Sequence, residues 1–211
     1  MESVGLEQVL AWIREIAARV EEQRSYLTQL DSAIGDADHG INMNRGFKAV
    51  LERLEATPPA DIAGAFRTVA MALIGKVGGA SGPLYGTLFM EMGKAAGDRA
   101  TLDGQGLAEV LRAGIDGVKA RGKAAEGDKT MIDVLEPAHA ALSAAVASGA
   151  GLEEALQKAE AAAKEGMEAT IPLVARKGRA SYLGERSAGH QDPGATSSHL
   201  MVAAASEVWG E

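Results

Sequence analysis

Leu6, Val9, Leu10, Ile13, Ile16, Ala17, Val20, Leu27 and Leu30 recur at steps of three and four residues, which places them on one face of a helix over 6–30. A second helix carries Phe47, Val50, Leu51 and Leu54 on its apolar side and stops before Pro58-Pro59. Asp61 is the expected cap of a third, with Ile62, Phe66, Val69, Leu73 and Ile74 turned inward. Helical runs follow over 84–96, 107–119, 131–146, 152–174 and 194–209. No stretch shows convincing strand patterning, and no internal repeat is visible. The expected fold is all-α: eight amphipathic helices in an antiparallel bundle or helical barrel, forming one domain over 1–211.

In an up-and-down arrangement every second junction falls at the same end. Residues 31–40, 78–83, 121–129 and 176–193 follow helices one, three, five and seven, so these four glycine-rich loops share one rim. The intervening junctions are plainer. That alternation points to a single site.

Composition narrows the field. The chain has 211 residues, 46% of them hydrophobic but only 4% aromatic, which suits one Ala-rich helical core. A net charge of −8 with no basic patch argues against nucleic acid as a partner. With no cysteine, disulfides, thiolate metal sites and thiol nucleophiles are excluded. The acidic N-terminus lacks the pattern of a secretory signal, and no run approaches the ~18 apolar residues of a membrane span. The expected setting is the cytoplasm, away from membranes.

The first rim loop, LDSAIGDADHGINMNR over 30–45, carries Asp31, Asp36 and Asp38, then His39, Gly40 and Asn42. Carboxylates this close repel by roughly 1 kcal/mol or more per pair at intermediate dielectric. A hard divalent cation relieves that, and Mg²⁺ keeps positions open for phosphate oxygens. Taken alone, the loop reads equally as two helix caps and a solvated turn. It is not an EF-hand: counting from Asp36, the sixth and twelfth positions hold Ile41 and Phe47 rather than Gly and Glu.

The other loops add anion chemistry. GGASGP over 78–83 precedes a helix, so its amides and the Ser81 hydroxyl converge where an anion is favoured, although a tight turn would use the same glycines. GKAAEGDKT over 122–130 is no P-loop, because Asp128 separates Gly127 from Lys129 and no strand precedes it. It remains a candidate backbone contact to nucleotide, with Met131 facing a base. RKGRASYLGER over 176–186 sets four cations in an acidic chain; either it is a solvated loop or Arg179 grips phosphate through a bidentate fork. GHQDPG over 189–194 ends at another helix start. Of the four histidines, His139 and His199 fall within helices, whereas His39 and His190 fall on the rim as candidates to orient phosphate, with His39 also a candidate phosphate carrier. Carboxylates for metal, turns for phosphate and an arginine for the transferring group are the parts of a Mg²⁺–nucleotide site.

Four blocks, LDSAIGDADHGINMNRG, GGASGPLYGT, RGKAAEGDKTM and ARKGRASYLGERSAGHQDPGATS, resemble in order the signature blocks of the nucleotide-binding L subunits of dihydroxyacetone kinases. The resemblance spans essentially the whole chain and implies an eight-helix barrel with nucleotide at one rim. It implies that Asp31, Asp36 and Asp38 ligate two Mg²⁺ ions and act with Arg179 in catalysis. It implies phosphate contacts from His39, Gly40, Ile41, Asn42, Ala80 and Ser81, and nucleotide contacts from Gly122, Met131 and Arg179. Asp192, Pro193 and Gly194 would close the site. The wording of the blocks is similar to the branch in which bound ADP is a fixed coenzyme. There a phosphotransferase-system phosphocarrier, the M subunit, recharges the ADP, and the phosphate passes to dihydroxyacetone on a K subunit. Two alternatives stand beside this: an ATP-dependent kinase subunit, and a nucleotide-loaded regulatory module without chemistry of its own.

Overall fold

The computed structural model describes residues 2–210. Among these residues are nine α-helices: α1 (Leu6–Glu22), α2 (Arg24–Ile34), α3 (His39–Ala56), α4 (Ile62–Lys76), α5 (Ser81–Ala96), α6 (Gly104–Gly122), α7 (Ile132–Ala147), α8 (Leu152–Ala169) and α9 (Pro193–Trp209). The all-α expectation holds. The helix expected over 6–30 is two helices: the chain breaks at Gln23 and resumes as α2. The helix expected over 152–174 ends at Ala169, ahead of Pro172, whose ring disfavours helix in the residue before it. Residues 179–187 form a 3₁₀ segment, kinked at Gly184, inside what the sequence presents as loop.

One short sheet escaped the sequence reading. β1 (Val4–Gly5) pairs antiparallel with β2 (Thr101–Leu102), Val4 opposite Leu102. Two residues per strand leave no alternation to detect.

Successive helices pack side by side from α3 through α9, and α1 packs against both α3 and α9, so the ring closes. Each helix turns an apolar stripe to a shared interior, where Ile13, Phe47, Phe66, Phe89 and Leu73 are fully buried. Closure is cemented by aromatics. The Trp12 ring lies 4.9 Å from Trp209, 5.8 Å from Phe89 and 6.3 Å, edge-on, from Phe66. Both indoles also donate across the seam: Trp12 Nε1 to the Met201 carbonyl at 2.9 Å, and Trp209 Nε1 to the Gln8 carbonyl at 3.0 Å. Trp12→Ala therefore removes packing and one of the two hydrogen bonds across the seam. The expected loss is about 3–5 kcal/mol in denaturant unfolding; a loss below about 1 kcal/mol would show that the seam is held elsewhere.

Candidate functional site

The acidic loop is bent into shape by its own first carboxylate. Asp31 sits in the last turn of α2, and its Oδ2 accepts the amides of Asp38 at 2.8 Å and His39 at 3.0 Å. It thereby caps α3 from the preceding helix, satisfying donors that the helix start leaves free. The return is tight: a Cβ on Gly35 would lie 1.9 Å from Asp31 Oδ1, so glycine is required there. Ala37 takes a left-handed φ of 61°. The outcome is that Asp31, Asp36 and Asp38 each bring one carboxylate oxygen within 4.8 Å of the other two. Asp31 is buried, Asp38 half-buried and Asp36 exposed, so the cluster faces outward from a fixed base. An all-carboxylate, partly solvated donor set fits a hard divalent cation such as Mg²⁺. Arg179 Nε meets Asp36 Oδ2 at 2.9 Å and offsets part of the repulsion.

These carboxylates line a cavity of about 400 Å³, large enough for a nucleotide. Around it the fold gathers Asn42, Ala80, Ser81, Gly122, Met131, Arg179, Asp192, Pro193 and Gly194. The four rim loops thus meet in one place. Three helices direct N-termini here: α3 behind Asp38, α5 at Ser81 and α9 at Pro193. Between them they offer amide donors and positive dipole ends. Leu84, Val118, Ala124, Met131 and Ile132 give the cavity an apolar part of its lining.

His39 links two of these helix starts. Its Nε2 is 2.9 Å from Ser197 Oγ and its Nδ1 is 3.2 Å from Ser81 Oγ. Burial pulls its pKa down to about 4 despite the pull of Asp31 and Asp38, so the ring is neutral near pH 7. With both nitrogens engaged by serines, the ring is a strut between α5 and α9 and leaves no nitrogen free to carry phosphate. Tyr85 reinforces the same junction, its hydroxyl meeting Ser197 at 2.7 Å, Ser198 at 2.8 Å and the Gly194 carbonyl at 3.0 Å. Asp192 caps α9 by accepting the Ala195 amide at 2.7 Å, and burial pushes its carboxyl up to about 7 against that bond and the charge of Lys129.

Two expected phosphate contacts do not line the cavity. Gly40 lies beneath α2, where a Cβ would stand 2.1 Å from the Arg24 carbonyl, so this glycine serves helix packing. The Ile41 side chain, 51% exposed, turns to a separate groove with Arg24, Arg45, Lys48 and Lys76. His190 is exposed and outside the lining; His139 and His199 are half-buried and also lie outside it. Conversely, Leu84, Tyr85 and Val118 gave no sequence signal beyond core periodicity, yet they line the site. Lys129 also lines it, although it is fully buried and bonded to five backbone carbonyls.

The family model for the DAK2 domain matches residues 33–207. The ADP-binding subunit of PEP-dependent dihydroxyacetone kinase 1 from Listeria innocua is 48% identical over 192 residues, covering 91% of each chain. The corresponding ADP-binding subunit from Escherichia coli is 46% identical over 200 residues, 95% of each chain. Among solved structures, the native dihydroxyacetone kinase of C. freundii superposes with a TM-score of 0.74 at 26% identity. That match covers 98% of this chain but only 35% of the kinase. The same kinase in complex with AMP-PNP and Mg²⁺ gives a TM-score of 0.73.

Single Asp→Asn changes at positions 31, 36 and 38 are each expected to weaken Mg²⁺ binding tenfold or more, about 1.4 kcal/mol, in a calorimetric titration with nucleotide present. Asp31→Asn is also expected to lower the melting temperature, because it weakens the cap on α3. Unchanged Mg²⁺ affinity in all three variants would rule out the cluster as the metal site.

Proposed function

The chain belongs to the DAK2 domain family, and on that footing we propose that it is the ADP-binding subunit of a phosphotransferase-system-dependent dihydroxyacetone kinase. In this reading residues 1–211 act as one nucleotide-binding domain in the cytoplasm. Tightly bound ADP with two Mg²⁺ ions takes a phosphoryl group from a phosphocarrier M subunit and yields it to dihydroxyacetone on a K subunit. The observation that carries the reading is the convergence, in one cavity, of the acidic cluster, three helix N-termini and a set of apolar side chains. The relatives whose length this chain matches almost end to end are themselves named ADP-binding subunits.

The proposed roles follow from position. Asp31, Asp36 and Asp38 hold the metal, and Asp31 is oriented by its bonds to the α3 amides. Mg²⁺ bound there supplies a positive charge for the phosphate oxygens. Asn42, Ala80 and Ser81 flank the phosphates on one side, and the Asp192–Gly194 turn closes them on the other. Gly40 and Ile41 assist through their backbone amides, which in the first turn of α3 have no intrahelical acceptor. Gly122 and Met131, with Leu84 and Val118, exclude water from one face of the base. Arg179 is 64% exposed in its side chain and among the described residues pairs with Asp36 through Nε, which leaves its Nη groups to serve phosphate at the cavity mouth. Among the described residues no helix is long and apolar enough to cross a membrane.

The likeness to a kinase solved with AMP-PNP and Mg²⁺ favours a second reading, an ATP-exchanging nucleotide subunit. Denaturing freshly purified protein and identifying the released nucleotide separates the two. Retention through hours of purification needs dissociation slower than roughly 10⁻⁴ per second, or a Kd near about 0.1 nM at a typical on-rate. Near-stoichiometric ADP is the expected result. An empty site that exchanges ATP freely would contradict the coenzyme reading. Absence of ketone phosphorylation when K and M subunits are added would instead favour a regulatory module.

A further inference from the structure

Lys129 is 1% exposed, and its ammonium is enclosed by main-chain oxygens. Nζ lies 2.8 Å from the Thr170 carbonyl, 2.9 Å from that of Ser187, 3.1 Å from that of Leu173 and 3.4 Å from that of Ile171, and it also donates to the His190 carbonyl. An ammonium has three protons, so five acceptors share them. That arrangement resembles a monovalent cation in a carbonyl cage more than an ion pair. Asp192 and Asp133 contribute only at longer range, favouring the charged form against the cost of burial. The backbone of Lys129 is left-handed, at φ 63°, a conformation that non-glycine residues hold only when their surroundings demand it.

The caged carbonyls belong to segments that carry the candidate site. Thr170–Leu173 is the turn leaving α8, and Ser187 and His190 bracket the passage from the Arg179 segment to Asp192. Lys129 itself leads into Met131. Neighbouring bonds tie the same strands of chain: the Asp192 amide to Thr170 Oγ1 at 3.1 Å, the Ala175 amide to Ser187 Oγ at 2.8 Å, and the Arg176 amide to the Asp128 carbonyl at 3.1 Å. Asp133 fixes the approach by accepting the amides of Gly127 and Thr130.

We propose that Lys129 is a positioning residue whose ammonium acts as a built-in monovalent cation, drawing 127–133, 170–173 and 187–190 together and so setting Met131, Arg179 and the α9 N-terminus around the cavity. The cage stands on its contacts alone; its bearing on nucleotide rests on the reading given under Proposed function. Without the cation, the carbonyls of Leu173, Ser187 and His190 would lose their donor, while those of Thr170 and Ile171 keep the amides of Leu173 and Gly189.

The test compares wild type, Lys129→Met and Lys129→Ala by amide hydrogen exchange and by Mg²⁺–ADP affinity. In both variants exchange over 170–192 is expected to rise at least roughly tenfold while α1, α4 and α5 stay protected. Mg²⁺–ADP affinity is expected to fall at least roughly tenfold. Adding n-propylammonium to Lys129→Ala, which replaces the missing stem and charge, is expected to restore both; uncharged n-propanol is not. Wild-type protection of 170–192 in Lys129→Met would overturn the proposal. So would global unfolding that n-propylammonium does not reverse, and so would lost protection with unchanged nucleotide affinity. A wild type that binds no Mg²⁺–ADP would refute the nucleotide reading separately, leaving the cage to be judged on exchange and its rescue.

Discussion

Three carboxylates held within 4.8 Å of one another are the constraint around which this rim is arranged. Left alone they would push the α2–α3 junction open. The fold resists in two ways visible in the structure. One oxygen of Asp31 is committed to the first amides of α3, which converts a repelling charge into a helix cap. Arg179, from a segment almost 150 residues later in the chain, lies against Asp36. Neither neutralises the cluster, and the remaining negative potential suits the loop to a divalent cation. A protein needing only a turn between two helices would have no use for this concentration of like charge.

The scaffold divides labour between its ends. The tryptophan seam closes the ring with apolar packing and two hydrogen bonds between helices, a rigid scaffold for the loops at the rim. At the rim the cohesion is polar: His39 and Tyr85 join α5 to α9 through serine hydroxyls, and Lys129 collects carbonyls from the last two loops. Buried polar networks of this kind hold geometry well when every member is satisfied. They also explain why the cavity is lined by helix starts, since a strut at each start fixes where its amides point.

Much of this was legible in the sequence because helical periodicity is a strong signal and up-and-down connection forces alternate loops to one end. The aspartate cluster, the GGASGP turn, Met131, Arg179 and the Asp192–Gly194 turn were found from residue type and place, and they share the cavity. Where the structure departs from what the pattern suggests, the causes are physical. Gln23 interrupts a helix with neither glycine nor proline, while Val20 and Leu27 carry the apolar pattern straight across it. Gly40 and Ile41 belong to the same signature block as the acidic loop, yet once α3 has begun, helical geometry turns their side-chain positions away from the cavity. Leu84 and Val118 look like any other core position, because an apolar wall for a base and a helix-packing face have the same composition. Lys129 stands in a loop that departs from the P-loop pattern. Its partners are backbone carbonyls, which have no sequence signature at all.

Calorimetric titration of ADP into nucleotide-stripped protein, once with Mg²⁺ and once with a chelator, tests the central claim that the acidic cluster and the cavity form one metal–nucleotide site. The account predicts tight binding with Mg²⁺ that weakens by roughly a hundredfold or more without it. Equal affinity in both conditions, or no ADP binding in either, would contradict it.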